Sequence, residues 1–562
     1  MEKRIYIKDP LWKTIELSSW EGEVLKQSYF NRLHSVLQNS SAYKVYPGMR
    51  NTRFMHSLGA LHVASKIFLG ACVNTDRSIL DLLVKEADVA SSKFDPSEIK
   101  RIAEWCFSHG CPRKLAVLYC GIRLSALCHD IGHLSYSHIF EFALDTAISS
   151  DSRKRLWEKL LGTSDEMEES KETASVFSEL RQAILPDGTK KSDKKLHESI
   201  GQRVLAAMAL DCSGIVSKLL QLAGEILHSE SFPIARSFLE QDIDADRIDF
   251  VARDGFFSGA FSTSVDHSRL FASYEIATYD DEKGDFRARP SSRASGEAEK
   301  LLFERFQDYL HVAGHHKVHL FDELLERIIL FAMLSGRLNH LLRSVGNLVS
   351  LAPAITERLR ERSAQAKRDL IQSGDDSALD VLIREIHATV VDDPSKLPAQ
   401  VVSWVEAFFE RRDLYRTVFK TGRALDPEVR AFLSSESSGG IPELLTRITQ
   451  VVRKNRFDME RSIEAAIGRS KHFVVVGDLH RKLKIGIDGS DSARFFGLAS
   501  LEGFLLDKLG ESSPFNIWIR CDLPDTDWEK LRSKVIDVAF DFIRDKAGMT
   551  MSLIDYRNRS EQ

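Results

Sequence analysis

Apolar residues recur at spacings of three and four over long stretches of this chain, and this period limits its folds more than any other feature. One clear run places apolar side chains at Leu320, Leu324, Leu325, Ile328, Ile329 and Ala332. Such spacing puts apolar side chains on one face of an α-helix. The same pattern covers residues 55–72, 114–130, 197–228, 297–350, 353–391 and 398–470, with turn signals between them. The sequence therefore predicts a mainly α-helical body.

The pattern changes near the C-terminal end of the sequence. Residues 472–479, 482–487 and 515–523 alternate or run apolar in the way that is typical of β-strands, and residues 528–547 predict a closing helix. We therefore expect a small α+β lobe there. Residues 150–196 are densely charged, which predicts an exposed, solvated insertion with weak helices.

Composition excludes several classes of protein. The 77 basic and 82 acidic residues give a net charge of -5, so there is no overall attraction to nucleic acid or to an anionic membrane. Seven scattered cysteines, without a CxxC pair, favour a reduced cytoplasmic compartment. The first residues lack the apolar core of a secretory signal, and apolar runs stay short of the roughly 20 residues that span a bilayer. We expect a cytoplasmic protein without a membrane partner.

The stretch LCHDIGHLSYSHIFE, residues 127–141, contains the first candidate chemistry. It places three histidines within ten positions and includes the adjacent pair His129 and Asp130. Imidazole and carboxylate together suit a divalent cation such as manganese, iron, zinc, cobalt or nickel. His56, with Arg53 three residues earlier, and Asp246, in the acidic run QDIDADRIDFVARD, are further candidates. Taken singly, each also fits an ordinary surface or core residue.

The ordered set of these motifs resembles the HD-domain deoxynucleoside triphosphate triphosphohydrolases, which include bacterial dGTPases. The resemblance covers roughly residues 5–330. It is carried by IKDPLWKTIEL (7–17), FNRLHSVLQ (30–38), YPGMRNTRFMHSLG (46–59), CHDIGHLSYSHIFE (128–141), HESIGQRVL (197–205), IDADRIDFVARD (243–254) and, more faintly, ERFQDYLHVAGHHKV (304–318).

The resemblance implies a role for each matching residue. One divalent ion, of manganese, magnesium, iron, cobalt, nickel or zinc, would be bound by His56, His129, Asp130 and Asp246. The residues matching catalytic positions are His133, His138, Glu141 and His197, with Glu141 orienting His138 as a proton donor or acceptor. The residues matching substrate-binding positions are Arg53, Arg247 and Arg305 for the triphosphate, and Gln38, Asn39, Phe250 and Asp254 around the sugar.

The sugar-binding positions depart from the family pattern. Asn39 stands where a leucine often excludes the 2'-hydroxyl, while Ala313 and Phe250 replace tyrosines. A smaller, more polar wall discriminates less against ribonucleotides, because even an intact apolar pocket rejects an added hydroxyl only weakly. The preference between deoxyribonucleotides and ribonucleotides therefore stays open.

The resemblance over residues 5–330 and the periodicity of the later residues together predict a domain plan. We expect an HD-domain phosphohydrolase core at 1–330 with insertions at about 74–112 and 145–195, a helical extension at 331–470, and an α+β lobe at 471–562. The expected partners are a nucleoside triphosphate substrate, a nucleotide effector, and further copies of the chain in a dimer, tetramer or hexamer.

The leading hypothesis is metal-dependent hydrolysis of deoxynucleoside triphosphates to deoxynucleoside and inorganic triphosphate, serving nucleotide-pool control or antiviral defence. One alternative keeps the metal site but acts on single-stranded nucleic acid or another nucleotide, as a phosphodiesterase or nuclease. The composition gives nucleic acid no support. A third interpretation, motivated by the long insertions, is a nucleotide-sensing scaffold with little turnover.

Overall fold

The computed structural model of this protein describes residues 3–161, 170–185, 195–280, 285–410, 415–419, 441–468, 473–478, 515–520 and 525–547. Its helices are α1 Ser19–Leu25, α2 Ser28–Asn31, α3 Arg53–Asn74, α4 Arg77–Ser91, α5 Pro96–Phe107, α6 Ala116–Cys128, α7 His138–Ile148, α8 Ser150–Leu161, α9 Lys171–Ile184, α10 Leu196–Asp211, α11 Gly214–His228, α12 Pro233–Arg236, α13 Ala245–Ser258, α14 His267–Ala272, α15 Ser295–Asp308, α16 His316–Leu334, α17 Asn339–Val349, α18 Glu357–Ser373, α19 Asp376–Asp392, α20 Ala399–Glu410, α21 Ile441–Ile467 and α22 Asp525–Ala547.

The strands are few and short. They are β1 Ile5–Asp9, β2 Lys13–Leu17, β3 Tyr274–Asp280, β4 Asp285–Pro290, β5 Tyr415–Thr417, β6 Phe473–Asp478 and β7 Phe515–Arg520. Strands β1 and β2 form one antiparallel hairpin and β3 and β4 another, while the remaining three form an antiparallel sheet in the order β5-β7-β6. The predicted fold class, mainly α-helical with a small α+β unit near the C-terminal end, is confirmed.

The long predicted helical stretches are divided where the backbone leaves the helical region. Gly214 and Gly336 have positive φ angles of 55° and 75°, which glycine adopts without the penalty that a Cβ atom imposes. They separate α10 from α11 and α16 from α17. The helical prediction was wrong at β5, a strand inside the range 398–470. Pairing with β7, a hundred residues later, fixes this three-residue strand, so local periodicity does not reveal it.

The C-terminal sheet is buried on both faces. Val474, Val476, Ile517 and Ile519 point into a separate small core with α21 and α22, while Val475 and Trp518 point into the main core. This alternation is the period of two that a strand imposes. The predicted strand at 482–487 lies outside the described residues. The predicted boundary at 470 runs between α21 and β6, which pack together, and the domain limits stay predictions.

Buried ion pairs join this lobe to the helical body. The guanidinium of Arg327 on α16 lies 2.5 Å from Glu460 Oε1 on α21 and also contacts Glu323. Lys159 on α8 contacts the same Glu460, and its ammonium donates to the carbonyl of Val474 at 3.0 Å. Because buried charges are costly to leave unpaired, these contacts fix how the lobe sits on the body.

The prediction of a solvated insertion at 150–196 was wrong for its two helices. Val176, Phe177 and Leu180 of α9 are buried, and this helix packs against α17. On α8, Leu156 is buried and Lys159 is engaged in the ion pairs described above. The many charges lie on the opposite faces of these helices, which is the ordinary amphipathic arrangement. Residues 162–169 and 186–194 lie outside the described residues.

Helix α3 passes through the centre of the main core. Among the described helices it alone is long and apolar enough to cross a membrane by length and composition, although 67% of the relevant window is buried inside the protein. It packs against α6 and α13, the two helices that carry the other members of the candidate site. Its apolar character is therefore accounted for by this central position.

Candidate metal centre

Three helices bring the four predicted metal ligands together. His56 lies in the first turn of α3, His129 caps the C-terminal end of α6 with Asp130 beside it, and Asp246 lies in the first turn of α13. Helix ends place polar side chains at the edge of a packed core. Because α3 contacts both α6 and α13, the three ends meet in one place.

The donor atoms of these residues lie close to one another. His56 Nε2 lies 3.2 Å from His129 Nε2, 3.0 Å from Asp246 Oδ1 and 3.8 Å from Asp130 Oδ2. His129 Nε2 lies 3.6 Å from both Asp130 Oδ1 and Asp246 Oδ1. A divalent ion bound at about 2.1 Å places neighbouring donors about 3 to 3.4 Å apart. His56, His129 and Asp130 offer donor atoms within 4.8 Å of one another and could hold such a cation, and Asp246 Oδ1 lies beside both histidines.

Both histidines are oriented so that Nε2 faces the other donor atoms of this group. His56 Nδ1 lies 2.8 Å from Asp249 Oδ2, and His129 Nδ1 lies 2.7 Å from the carbonyl oxygen of Ala126. If each Nδ1 donates its proton to these oxygens, each Nε2 is left with a lone pair. Two lone pairs facing each other in a buried site are unfavourable, and a shared cation removes that conflict.

The charged neighbours of these residues shift their pKa values. Burial lowers the pKa of His56, but hydrogen bonds to Asp246 and Asp249 outweigh it and raise that pKa to about 10. Burial acts against ionised Asp130, yet the charge of Arg53 holds its pKa well below the usual range. The carboxylates are therefore ionised at neutral pH, as metal ligation requires.

Asp249 is a functional residue that sequence reasoning missed. Its Oδ2 lies 2.8 Å from His56 Nδ1. Asp249 also accepts two hydrogen bonds from the guanidinium of Arg253, both at 2.9 Å, and one from the indole N–H of Trp12. Arg253 in turn donates to Asp9 at 3.0 Å. The sequence feature that could have identified Asp249 is its position three residues after Asp246, which places both carboxylates on one side of α13.

Replacing Asp249 with asparagine should weaken metal binding while leaving the four ligands in place. The amide cannot accept both bonds from Arg253 and still hold the proton on His56 Nδ1, so the ring orientation loosens. Loss of such an outer partner typically costs about 10- to 100-fold in metal affinity. Titration of chelator-treated protein with Mn²⁺ measures this change, and Glu240→Gln, an exposed carboxylate just before α13, is the matched control. Equal affinities in all three proteins would contradict the role given to Asp249.

A second cluster of candidate residues adjoins the first. His133, His138, Glu141 and His197 offer donor atoms within 4.8 Å of one another. The carboxylate of Glu141 lies closer to His197, with Oε1 at 2.9 Å from Nδ1, than to His138, with Oε2 at 3.6 Å from Nδ1. Glu141 thus presents one carboxylate oxygen to each histidine, and the role that the sequence predicted for it, orienting His138, stays a prediction.

The loop between α6 and α7 is held tightly from outside. The Arg32 guanidinium donates to the carbonyls of Ile131 and, at 2.7 Å, His133. Tyr136 and Ser137 have positive φ angles of 52° and 51°, an unfavourable conformation for residues with a Cβ atom. Asp376 accepts the Tyr136 amide at 2.6 Å. These contacts hold the loop that carries Asp130 and His133 in one conformation.

The three predicted triphosphate-binding arginines have different environments. Arg53 pairs with Asp130 and donates from Nε to Ser137 Oγ at 2.8 Å. Arg247 pairs with Asp244 at 2.8 Å, the residue that caps α13 two positions before Asp246. Arg305 is buried, its Nη1 reaches the Asp242 carbonyl at 3.5 Å, and its Nε has no hydrogen-bond partner among the described residues. Arg247 and Arg305 thus flank the start of α13.

Two of the predicted sugar-binding residues, Asp254 and Phe250, lie on α13, and Asn39 lies beside Asp254. Burial raises the pKa of Asp254 to about 6, while the side chains of Asn39 and Asn51 act in the opposite direction. The backbone N–H of Gln38 donates to the backbone carbonyl of Asn51 at 3.0 Å. Phe250 is half-buried on α13, the helix that carries Asp254. Asn39 and Asn51 thus lie beside Asp254, and Gln38 is linked to Asn51 through the backbone.

Comparison with known proteins gives partial matches. No family model matches the chain. It is 24% identical over 329 residues to an uncharacterized protein of Methanocaldococcus jannaschii, covering 58% of this chain and 49% of that protein. It is 27% identical over 136 residues to deoxynucleoside triphosphate triphosphohydrolase SAMHD1 of Homo sapiens, covering 24% of this chain and 16% of that protein. A putative HD domain-containing protein of Acanthamoeba polyphaga mimivirus is 27% identical over 139 residues, 25% of this chain and 26% of its own.

Among solved structures, a phosphohydrolase of Bacteroides thetaiotaomicron aligns with a TM-score of 0.47 and 18% identity over 74% of this chain and 78% of its own. The chain spans about half the length of the first curated relatives that it matches. Together the sequence matches support a place in the HD superfamily and do not distinguish the dNTP triphosphohydrolases from its other members.

Proposed function

We propose that this protein is a metal-dependent hydrolase that converts deoxynucleoside triphosphates to deoxynucleosides and inorganic triphosphate. The observation that carries the proposal is the group formed by His56, His129 and Asp130, whose donor atoms lie within 4.8 Å of one another, with Asp246 Oδ1 3.0 Å from His56 Nε2 and 3.6 Å from His129 Nε2. A divalent cation bound there would activate water for attack and offset negative charge on phosphoryl oxygens. The identity of that cation is part of the proposal.

The residues around the centre supply the other requirements of phosphoryl transfer. Arg247 and Arg305 flank the start of α13, so a triphosphate lying beside Asp246 meets two guanidinium groups. Arginine binds phosphate through paired donors and keeps its charge at every physiological pH. His138 has a side chain 45% exposed, and it is therefore the histidine of the second cluster best placed to pass a proton to a leaving group.

The nucleoside would extend along α13 toward Asp254. A buried carboxyl with a pKa near 6 accepts or donates a hydrogen bond to a sugar hydroxyl according to its protonation. The half-buried Phe250 lies between Asp246 and Asp254 and offers an apolar surface for the sugar. Asn39, a polar side chain beside Asp254, leaves room for ribonucleotides as well as deoxyribonucleotides.

The test is a panel of all dNTPs and NTPs, alone and mixed, with Mn²⁺ or Mg²⁺ and product identification by mass. We expect unsplit triphosphate and nucleoside from at least one deoxynucleotide. Reaction in ¹⁸O-labelled water should place the label in triphosphate, because attack at the α-phosphorus breaks its bond to the 5'-oxygen, which leaves with the nucleoside. Mixtures reveal an effector nucleotide that differs from the substrate.

Three results from the same panel would contradict the proposal. Orthophosphate or pyrophosphate as the only phosphorus product would place the attack on another phosphorus atom. Cleavage of labelled single-stranded oligonucleotides without dNTP hydrolysis would favour a nuclease, and binding without turnover on the order of one per second would favour a sensor.

A further inference from the structure

Two cysteines that are separated in the sequence, Cys106 and Cys120, lie side by side in the structure. Cys106 is in the last turn of α5 and Cys120 is in the second turn of α6, and their sulfur atoms are 3.4 Å apart. Both side chains are fully buried. Since a disulfide bond is about 2.05 Å long, a small movement of the two side chains is enough to join them.

The turn that ends α5 directs Cys106 toward α6. Gly110 has a positive φ of 83°, which lets the chain reverse direction there. The N–H of Gly110 donates to the carbonyl of Phe107 at 3.1 Å and the N–H of Cys111 donates to the carbonyl of Cys106 at 3.2 Å, the Schellman arrangement that ends many helices. The Cys106 thiol donates in turn to the carbonyl of Ala116, at the start of α6, at 3.5 Å. These contacts hold Cys106 against α6.

The surroundings of the pair make it selective for small reagents. Burial raises the pKa of the Cys106 thiol well above its usual range, and its neighbours Cys120 and Cys111 raise it further, while the Arg123 guanidinium acts in the opposite direction. Burial likewise raises the pKa of Cys111, with Cys72 and Cys120 adding to the effect. Of these four cysteines, Cys72 on α3 is part-exposed and the other three are buried. A small oxidant therefore reaches the pair more readily than a bulky one.

We propose that Cys106 and Cys120 form a redox-active pair, which a peroxide converts to a disulfide that fastens α5 to α6. One thiolate sulfur attacks an oxygen atom of hydrogen peroxide, the O–O bond breaks, and a sulfenic acid and water are formed. The second thiolate attacks that sulfur, the S–S bond forms, the S–O bond breaks, and a second water leaves with the remaining protons. Two electrons pass from the thiols to the peroxide, and a dithiol reagent restores both thiols by exchange.

The disulfide would restrain the segment 74–112, which the sequence predicts to be an insertion and for which the proposed function has no use. This segment contains α4 and α5, and α6 ends beside His129 of the candidate metal centre. A bond that closes a loop of about 15 residues changes the equilibrium for opening that loop by up to about 100-fold. Neither cysteine has a role in the proposed hydrolysis, so the two proposals are tested separately.

The experiment treats fully reduced, full-length protein with hydrogen peroxide, alkylates the remaining thiols after unfolding, and maps the peptides by mass. We expect one peptide pair joined through Cys106 and Cys120, lighter by two hydrogens than the two reduced peptides, and its loss on addition of a dithiol reagent. Amide hydrogen exchange that requires α5 to separate from α6 should slow by up to about 100-fold in the oxidised protein.

Variants and outcomes decide between the possible results. Cys106→Ala and Cys120→Ala should each abolish the joined peptides and the slower exchange, whereas Cys212→Ala, a part-exposed cysteine after α10, should change neither. Peptide mapping of the wild-type protein keeps the test valid if a buried variant does not fold. Free thiols at both positions after oxidation, or linkage to Cys72 or Cys111 instead, would overturn the pair. A joined pair with unchanged exchange in α5 would overturn the fastening of α5 to α6.

Discussion

His129→Ala should reduce hydrolysis of the preferred nucleotide by about 1,000-fold or more, equivalent to about 4 kcal/mol of transition-state stabilisation. His129 Nε2 stands 3.2 to 3.6 Å from donor atoms of the three other predicted ligands, so its removal opens one side of the centre. The remaining carboxylates, Asp130 and Asp246, then lose a neighbour that balances their charge. Steady-state rates with saturating Mn²⁺, together with the bound-metal content, measure the effect.

Two controls make this result specific. His340→Ala removes an exposed imidazole from α17 and should retain full activity and metal content. His129→Gln keeps a polar side chain of similar length, so a folded but inactive protein would show that the imidazole itself is required. If His129→Ala retains more than about a tenth of the wild-type rate, the centre described here does not carry the reaction.

Periodicity was sufficient to predict the helical body because each helix buries one apolar face. It also predicted β6, β7 and the closing helix, where apolar alternation is long enough to be recognised. It missed the β1–β2 and β3–β4 hairpins and the short strand β5. Charged and polar residues interrupt the apolar positions of the two hairpins, and β5 has three residues, so these strands are specified by their partners across a sheet. That information is not local in the sequence.

The candidate site shows the same division between local and distant information. The adjacent pair His129 and Asp130, and the family motifs around them, were sufficient to nominate the four ligands that the structure brings together. The hydrogen bond between Glu141 and His197 joins residues 56 positions apart, so the local motif that pairs Glu141 with His138 does not reveal it. Arg53 was predicted to bind phosphate, and only the packed structure shows its guanidinium already paired with Asp130.

Gly132→Ala should destabilise the protein by about 3 kcal/mol or more and reduce activity in whatever fraction remains folded. A Cβ atom at Gly132 would lie 2.0 Å from the carbonyl oxygen of His197, 2.3 Å from the amide nitrogen of Gly201 and 2.7 Å from its Cα atom. All three are backbone atoms of α10, so no change of rotamer relieves the clash. The helix must move away from the loop, taking His197 with it.

Urea denaturation and steady-state kinetics together test this effect, with Gly224→Ala as the matched control. Gly224 lies inside α11 with open space around its Cβ position, so the same substitution there should be neutral or stabilising by up to about 1 kcal/mol. Because α10 carries His197 and the loop carries His133, separating them should also lengthen the contact between the two stacked rings. Wild-type stability and rate in Gly132→Ala would mean that the close approach of loop and helix does not position His197.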